Sequence, residues 1–427
     1  MGNFKYLKNT RKMGFLFSIL IVGLLSCERE QLAPAKPVEE ERSTIDSLTA
    51  NTSQNKSETI SQSELIGNGS GVLELRDISD KKYTIKEGTY TALRFQNIKN
   101  VNIDGLGKVK VTNGNVDIGN VDNLTLSGIE IHDYDQAAIY VHTSANNLTL
   151  SNIKLKNINN YGVRFDINKK YDGSPSSFSN NIHLTNIHAE NIGTLFISQG
   201  GIQNDGFYGL IKNFKLTNSK VVNSPYLNGL TSIGCAEDYE MSNNVIDNVN
   251  ASDKYPNGAN NHTGIFYAQG NGKIFNNKAT NFQGNLVRAW LFSITKPGIV
   301  EIYNNIAYNS TRYSAFELQV PPSTKNFASF KPANAKVYNN TVGKLNTGEP
   351  KFFEGRLLDL YQTHGQVEIY NNLTFDMRDD ILVHNMSDAS TTKITKVSNN
   401  HYFKRTQDAI NDLINFSSKI VGVGAKL

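Results

Sequence analysis

The sequence predicts an all-β chain folded as a single-domain right-handed parallel β-helix, a solenoid of about eleven coils with end caps. The first observation is a six-residue segment, VEIYNN at 300–305, that returns unchanged at 367–372 and in a looser form at 335–340. The second is the alternation of apolar and polar residues in each copy, followed by a polar turn, which is typical of a short strand. The third is the shortest repeat length, about 23 residues, which is too short for a four-stranded propeller blade.

The turn after each repeated strand is the element that fixes the phase of the coils. Its residues are Gly105, Gly128, Asn152, Asn186, Asn218, Asn243, Asn277, Asn305, Asn340, Asn372 and Asn399. Asparagine tolerates a left-handed backbone at a turn, and stacked asparagine amides form a ladder. We therefore interpret these asparagines as residues of the fold and not as ligand contacts.

The chain begins with a segment that has the features of a secretory leader. Residues 1–26 contain four basic residues and no acidic one, and an apolar run from about residue 13 to residue 25 follows the basic head. The leader ends in Leu25-Ser26-Cys27, which resembles the processing box of bacterial lipoproteins and implies lipidation of Cys27. We expect an outer-membrane lipoprotein, held at the membrane by its acyl chains and facing the periplasm or the cell surface.

Removal of the leader makes the chain electrically balanced. Four of its 43 basic residues lie in the leader, which leaves 39 against 39 acidic residues. This balance argues against nucleic acid as a partner, because such proteins concentrate positive charge to neutralise phosphates. Cys235 is the only cysteine besides Cys27, so an internal disulfide is excluded. We expect Cys235 to be buried.

The rest of the chain divides into a tether and a repeat domain. Residues 27–66 are rich in polar residues and proline and predict a flexible tether, and residues 67–427 predict the β-helix. Three longer repeats carry loops at 169–178, 254–261 and 321–332 that we expect to project from the solenoid. A helix beginning near Thr406 is the expected C-terminal cap.

Two segments carry a resemblance to a known superfamily. YTIKEGTY at 83–90, followed by NVNIDG at 100–105, resembles the opening of pectate-lyase-like parallel β-helix proteins, as do the repeated strand-Asn-Asn units. The resemblance covers about residues 71–427 and implies action on polysaccharides. It assigns no reaction, since the Arg-x-Pro-x-x-Arg element of pectate lyases is absent. Asp205-Gly206 and His364-Gly365 match only fragments of polygalacturonase motifs.

One strand in each coil is unusually rich in functional side chains at alternate positions. Period-two alternation predicts an inward set, which is Val163, Phe165, Val287, Phe316, Leu318 and Leu360. It predicts a first outward column of Tyr140, Arg164, Gln203, Thr231, Phe266, Arg288, Glu317 and Asp359. The second outward column is His142, Asp166, Asp205, Trp290, Gln319 and Tyr361. This mixture of charges, amides and rings suits a glycan chain, although a solvated sheet with ordinary ion pairs explains any single residue as well.

Two mechanisms fit these residue types. A lyase acting on a uronate needs the sugar carboxylate neutralised, by Arg164, by Arg288, or by a Ca²⁺ held between Asp166, Asp205 and Glu317. Its proton transfers fall to His142, His262, Tyr140 or a desolvated Arg288. A glycosidase needs two carboxylates at a fixed spacing, for which Asp166 and Asp205 are the candidates.

The sequence thus predicts a surface-anchored carbohydrate-active protein. A polysaccharide lyase stands slightly ahead of a glycoside hydrolase. The alternative is a non-catalytic glycan-binding or adhesive solenoid. Convergence of Arg164, Asp166, Asp205 and Arg288 on one pocket would favour the enzyme, and a shallow, evenly spread face would favour binding.

Overall fold

A computed structural model describes residues 63–203, 205–250, 264–320, 331–348, 354–377, 381–385, 392–403 and 423–426. All of them belong to one unit, Ile60–Leu427. The leader, Cys27, His262, the loop at 254–261, most of the loop at 321–332 and the expected helix after Thr406 lie outside the described residues. No helix in the described ranges is long and apolar enough to cross a membrane.

Strands are the main regular element of the described chain, and the first begins at Glu64, three residues before the expected domain boundary. The strands are β1 Glu64–Ile66, β2 Ser70–Ile85, β3 Gly88–Thr112, β4 Val116–Tyr134, β5 Ala137–Asp166, β6 Ser179–Ser198, β7 Gly201–Gln203, β8 Gly206–Tyr208, β9 Ile211–Thr217, β10 Lys220–Ser224, β11 Gly229–Ser242, β12 Val245–Val249 and β13 Gly264–Phe275. They continue as β14 Lys278–Phe282, β15 Asn285–Leu291, β16 Ile299–Tyr303, β17 Ile306–Ser310, β18 Phe316–Gln319, β19 Asn334–Tyr338, β20 Thr341–Gly343, β21 Leu358–Leu360, β22 Gln366–Tyr370, β23 Leu373–Phe375, β24 Val383–Asn385, β25 Lys393–Ser398 and β26 His401–Phe403. A single 3₁₀ turn, Pro175–Ser177, stands among them in the described ranges.

Parallel pairing between successive coils confirms the predicted solenoid. Apart from the antiparallel hairpin β7–β8, the strand pairs are parallel and join each strand to the equivalent strand of the next coil. One unbroken row of partnered residues runs through twelve coils: Tyr83, Ile103, Leu126, Leu150, Leu184, Leu216, Met241, Ile274, Ile302, Val337, Ile369 and Val397. At about 4.8 Å per step this stack is about 50 Å long.

The core lies along the inside of the coils, where every second residue of a strand points. Val163, Phe165, Val287, Phe316, Leu318 and Leu360 are all buried there, as the alternation predicts. The apolar side chains of neighbouring coils stack on one another in one main cluster that runs from Leu73 to Ile369, and two smaller clusters lie around Phe207 and Phe375. Each coil therefore depends on the coils beside it for the burial of its apolar face.

Two asparagine ladders, and not one, run along the turns of the later coils. The first asparagine of each Asn-Asn pair has the left-handed backbone, as at Asn304, where φ is 56°, and is exposed or half-buried. Bonds between these outer amides join Asn243, Asn276 and Asn304, and then Asn371 and Asn399. The second asparagine bonds from coil to coil and is buried in every coil but the last, in the order Asn244, Asn277, Asn305, Asn340, Asn372 and Asn400. The expectation of an amide ladder is confirmed. The turn residue with a left-handed backbone lies one position before the predicted Asn277, Asn305, Asn340 and Asn372, whereas Asn243 and Asn399 have it as predicted.

A third row, on another face, alternates in charge. Its partnered residues are Lys215, Glu240, Lys273, Glu301, Lys336, Glu368 and Lys396. Beside it the rings of Phe275, Tyr303, Tyr338 and Tyr370 stack with centroids 4.8–5.0 Å apart. A slip of one coil would bring like charges together, so this row favours the observed pairing.

Replacement of Asn340 by alanine tests the buried ladder. The Asn340 amide donates to Asn372 Oδ1 at 3.0 Å and accepts from Asn305 Nδ2 at 3.1 Å, and it also satisfies the carbonyl of Ile302. We expect Asn340→Ala to lower the free energy of unfolding by about 2–3 kcal/mol, because buried polar groups lose their partners. Urea unfolding followed by circular dichroism measures this loss.

A surface asparagine supplies the matched control. Asn309 has φ of 61° and donates to Asn281 Oδ1 at 2.7 Å. Asn309→Gly keeps the left-handed backbone available and loses only one exposed bond, so we expect a loss below about 1 kcal/mol. Equal losses in the two variants would contradict the role given to the buried ladder.

Candidate functional site

One outward-facing row of partnered residues collects most of the functional side chains. We call it the arginine row, and its members in successive coils are Arg164, Ile197, Ser232, Tyr267, Arg288, Glu317, Asp359 and His384. The row crosses the strands and so runs along the solenoid axis. Arg164, Arg288, Glu317 and Asp359 stand in it as the alternation predicts.

Arg288, on β15, is the centre of the best-defined cluster in this row. Its Nε donates to Glu317 Oε1 at 2.7 Å, and its guanidinium carbon lies 5.6 Å from the Tyr267 ring centroid and 6.0 Å from that of Trp290. The two rings meet edge to face at 6.0 Å. Glu317 thus fixes the guanidinium from one side and the rings fix it from the other, which leaves the side chain 21% exposed.

An open cavity of about 350 Å³ lies beside Arg288. Arg288, Tyr267, Ser232, Ile197 and Tyr161 line it, together with the backbone of neighbouring strands. Two glycines, Gly229 and Gly264, form part of its wall at successive coils. A Cβ at Gly264 would approach the Cβ of Arg288 to 2.6 Å, so only glycine leaves the arginine in place. The cavity is therefore a trough along the row, and its depth depends on missing side chains.

Glu317 and Asp359 hold their predicted positions in the row but are covered. Their exposed fractions are 1% and 0%. Burial raises the pKa of Asp359 to about 8, helped by the nearby charges of Glu354 and Glu317 and opposed by a hydrogen bond from Ser314. Ser314 Oγ donates to Asp359 Oδ1 at 2.8 Å, and His384 Nδ1 lies 3.7 Å from the same oxygen. These two carboxyl groups are buried members of the row, and they do not line the trough.

Arg164 forms a second cluster in the same row, one coil step beyond Ile197, which lines the trough. Its Nη2 donates to Asp166 Oδ2 at 3.0 Å, and Tyr140 Oη donates to the same oxygen at 3.1 Å. The guanidinium lies 5.8 Å from the Tyr140 ring centroid. Burial, and then the bond to Asp166, raise the pKa of Tyr140. His142 stacks on Tyr140 with centroids 5.1 Å apart.

This second cluster includes two residues that the sequence reasoning missed. Asp117 Oδ1 lies 3.1 Å from His142 Nε2 and accepts from Gln96 Nε2 at 2.6 Å. Asp117 is the Cα partner of Tyr140 one coil earlier. Extending the outward alternation into strand β4 would have found it, because Val116 and Ile118 on either side are buried.

A slip of one residue made two of the predicted outward positions wrong. Thr231 and Phe266 are fully buried, and the outward residues are Ser232 and Tyr267. The alignment matched Phe266 with Arg288, whereas Phe266 pairs with Val287 and Tyr267 with Arg288. Because side chains alternate across a strand, a shift of one residue moves each of them to the other face.

Gln203 and Asp205 are not in the outward columns. After Ser198 the chain leaves the coil at Gly200 and Gly201 and forms the antiparallel hairpin β7–β8. There Asp205 Oδ2 accepts from Lys170 Nζ at 2.8 Å, and the lysine and the hydroxyl of Tyr208 lower the pKa of that carboxyl. The strand of this coil that faces the trough ends at Ser198, so a carboxylate pair of Asp166 and Asp205 on neighbouring coils is not formed.

The three carboxylates proposed for Ca²⁺ are also placed apart. Asp166 pairs with Arg164, Asp205 with Lys170, and Glu317 with Arg288. Within the described ranges no three acidic, histidine or cysteine side chains converge as metal ligands. A calcium requirement therefore stays a prediction without a ligand set.

The second predicted column is formed in the coil of Arg288 and in the coils that follow it. Trp290 and Gln319 are Cα partners, and Tyr361 follows in the next coil; all three are half-buried. The donors Trp290 Nε1 and Gln319 Nε2 have no hydrogen-bond partner among the described residues. Cys235 is fully buried, as expected, and burial raises the pKa of its thiol.

The arrangement is suited to bind an extended acceptor-rich chain. Arginine presents planar N–H donors to carboxylates, and aromatic rings present flat apolar faces to sugar C–H groups. Burial raises the pKa of Tyr267, so its hydroxyl is neutral near pH 7, and it meets Gln269 Nε2 at 2.6 Å. The trough therefore offers a cation, a neutral proton donor and two rings.

Comparison with known proteins adds little to this geometry. No family model matches the sequence, and no curated protein matches it. A solved PL6 alginate lyase in complex with a trisaccharide is similar at 13% identity and a TM-score of 0.35, over 80% of this chain and 81% of that one. The alginate lyase AlyF-OU02 with bound G6 is similar at 13% identity and a TM-score of 0.33, over 79% and 83% of the two chains. At these values the similarity carries no argument about activity.

Replacement of Asp359 by asparagine tests its burial as a neutral acid. The folded-state pKa of about 8 lies above the ordinary value of 3.8, so the folded protein keeps a proton that the unfolded chain releases between these values. The stability that Asp359 contributes is therefore full below about pH 4 and is lost as the pH rises to 8. Asp359→Asn avoids this loss. We expect its Tm relative to wild type to rise steadily from pH 5 to pH 8.

Asp172 provides a control of opposite sign. Hydrogen bonds from Ser174 lower the pKa of Asp172 to about 2. The stability contributed by this group is present above pH 4 and is lost only below it. Asp172→Asn should change the Tm by a constant amount between pH 5 and pH 8. A constant difference for Asp359→Asn over the same range would contradict the burial of a neutral carboxyl group.

Proposed function

We propose that the trough beside Arg288 binds an acidic polysaccharide and that the protein cleaves it by β-elimination, as a polysaccharide lyase. The observation that carries the proposal is Arg288, fixed by Glu317 and two rings at the wall of an open cavity. A fixed guanidinium with apolar rings beside it matches a sugar ring that bears a carboxylate.

The reaction requires three changes at one uronate. The proton on the carbon next to the carboxylate leaves, its electron pair forms a carbon–carbon double bond, and the bond to the glycosidic oxygen on the next carbon breaks. A proton then goes to the leaving oxygen. Neutralisation of the carboxylate stabilises the negative charge that develops when the first proton leaves. Arg288 is the residue that we assign to this role.

The proton transfers need a donor and an acceptor. Tyr267, which burial keeps protonated near pH 7, is the proposed donor to the leaving oxygen. For the acceptor we propose His262, whose ordinary pKa lies close to neutrality and which precedes the trough residue Gly264 by two positions in the sequence. The structure of residue 262 lies outside the described ranges.

A glycan-binding protein without catalysis is the second candidate. It is favoured by the pairing of the charged groups, since Arg164 and Arg288 each lie against a carboxylate. A glycoside hydrolase is less well supported. Glu317 and Asp359 are the neighbouring carboxyl groups in the row, and both are buried. A hydrolase needs two carboxyl groups that reach the glycosidic bond.

We further propose that Cys27 is lipidated and anchors the protein to the outer membrane. This proposal depends on the leader sequence alone, in which a basic head and an apolar run end at Ser26-Cys27. Anchoring would hold the trough near polysaccharides at the cell surface or in the periplasm.

Replacement of Arg288 tests the proposed lyase. The purified protein is incubated with a panel of acidic and neutral polysaccharides, and unsaturated products and new reducing ends are followed separately. We expect unsaturated products from a uronate polymer and a fall of about 100-fold or more in Arg288→Gln, because the developing charge loses its partner. His262→Gln should lower the rate without weakening substrate binding.

Two further variants control this experiment. Arg288→Gln leaves Glu317 buried without its guanidinium, so Arg288→Gln/Glu317→Gln removes both charges and tests whether loss of activity follows from misfolding. Arg76→Gln removes an exposed arginine that pairs with Glu74 at 2.9 Å and should leave activity unchanged. Reducing ends without unsaturation would make the protein a hydrolase. Binding without products of either kind would favour the second candidate.

A cysteine variant tests the anchor. In a Gram-negative host that expresses the full chain, we expect the protein in the outer-membrane fraction and labelled by a palmitate analogue. Cys27→Ala should remove the label and release the protein from that fraction. A wild-type protein that is soluble and unlabelled would overturn the proposal, whatever the outcome of the lyase assay.

A further inference from the structure

The arginine row contains two arginines: Arg288 lines the trough, and Arg164 lies one coil step beyond Ile197, which lines it at the other end. Arg164 and Arg288 belong to the same row, and the positions between them are Ile197, Ser232 and Tyr267. The two arginines are therefore four coil steps apart, which is about 19 Å at the spacing of parallel strands. The three intervening side chains carry no charge near neutral pH, and all of them line the cavity.

The surroundings of the two arginines are built alike. Each guanidinium bonds a carboxylate, Asp166 at 3.0 Å and Glu317 at 2.7 Å, and each lies within 6 Å of a tyrosine ring, Tyr140 and Tyr267. A carboxylate that bonds an arginine limits the rotamers of its side chain, so less entropy is lost when a ligand binds. The Arg164 side chain is 35% exposed although it bonds Asp166. Its guanidinium can therefore meet a further acceptor.

We infer that Arg164 is a specificity-determining residue that binds a second negative charge of the same polysaccharide chain, about 19 Å from the charge bound at Arg288. This inference rests on the proposed binding of an acidic polysaccharide in the trough. The chain lies along the solenoid axis, crosses the three uncharged positions between the two arginines and meets a guanidinium on either side of them. Once Arg288 holds one end, binding at Arg164 is intramolecular and strengthens the complex only for chains that reach it.

We expect the effect of Arg164 on affinity to begin only above a certain oligouronate length, whereas Arg288 acts at every length. The probes are oligouronates of increasing length, with neutral oligosaccharides of equal length for comparison, and calorimetry measures their affinity for the full-length protein. Oligouronates too short to span about 19 Å should bind wild type and Arg164→Gln equally. Longer ones should bind Arg164→Gln about tenfold more weakly, the effect of losing one charge-assisted hydrogen bond. Arg288→Gln should weaken binding at every length.

Control variants exclude a general effect of charge or folding. Arg164→Lys keeps the positive charge and should restore part of the affinity for long chains. Arg76→Gln removes an arginine that also pairs with an acidic residue two positions away, and it should have no effect at any length. Equal loss for short and long chains in Arg164→Gln, no loss at all, or the same threshold with neutral oligosaccharides would overturn the inference.

Product formation, measured in parallel, keeps this inference separate from the proposed lyase. If the threshold is found and no unsaturated products form, Arg164 has the inferred role in a protein that only binds. If products form and Arg164→Gln cleaves long and short chains with unchanged KM, the lyase stands and the inference fails. With both correct, Arg164→Gln should raise the KM for long substrates while kcat stays the same.

Discussion

The hydrogen-bonded register between successive coils is the constraint on which the rest of the structure depends. Alternation decides which face of a strand is buried, but a shift of two residues keeps that face buried, so further contacts must fix the register. Here the amides of the row from Asn244 to Asn400, buried in all but the last, bond each of these coils to the next, and the charge-alternating row that contains Lys336 and Glu368 favours the observed pairing. With the register fixed, each outward side chain has a defined neighbour at about 4.8 Å in the coils on either side.

The register brings functional side chains from different coils together into one candidate site. Arg288, Glu317 and Asp359 come from three coils that are distant in the sequence, yet they form one row because their Cα atoms are partners. Glu317, which is buried, bonds Arg288 and stabilises it at the trough, and the glycines at 229 and 264 keep the space beside it open. The chemistry proposed for the trough thus depends on residues that no ligand touches.

The sequence predicted the fold better than the site, for a physical reason. Alternation and repeated Asn-Asn turns are properties of every coil, so an error in one coil does not hide them. A site depends on single positions, and two local features displaced several of these. A one-residue slip exchanged Tyr267 for the buried Phe266, and the glycines after Ser198 took Asp205 out of the coil into a hairpin. Asp359 is buried and accepts a hydrogen bond from Ser314 of the preceding coil, and no pattern within the strand of Asp359 reveals either feature.

The most direct measurement of the central claim is a crystal structure of the protein with an oligouronate long enough to cover the trough. We expect one sugar carboxylate within hydrogen-bond distance of the Arg288 guanidinium and sugar rings against Tyr267 and Trp290. The bound chain should continue along the solenoid axis toward Arg164. An oligouronate bound on another face, or one that crosses the trough parallel to the strands and leaves Arg288 without a carboxylate, would contradict it.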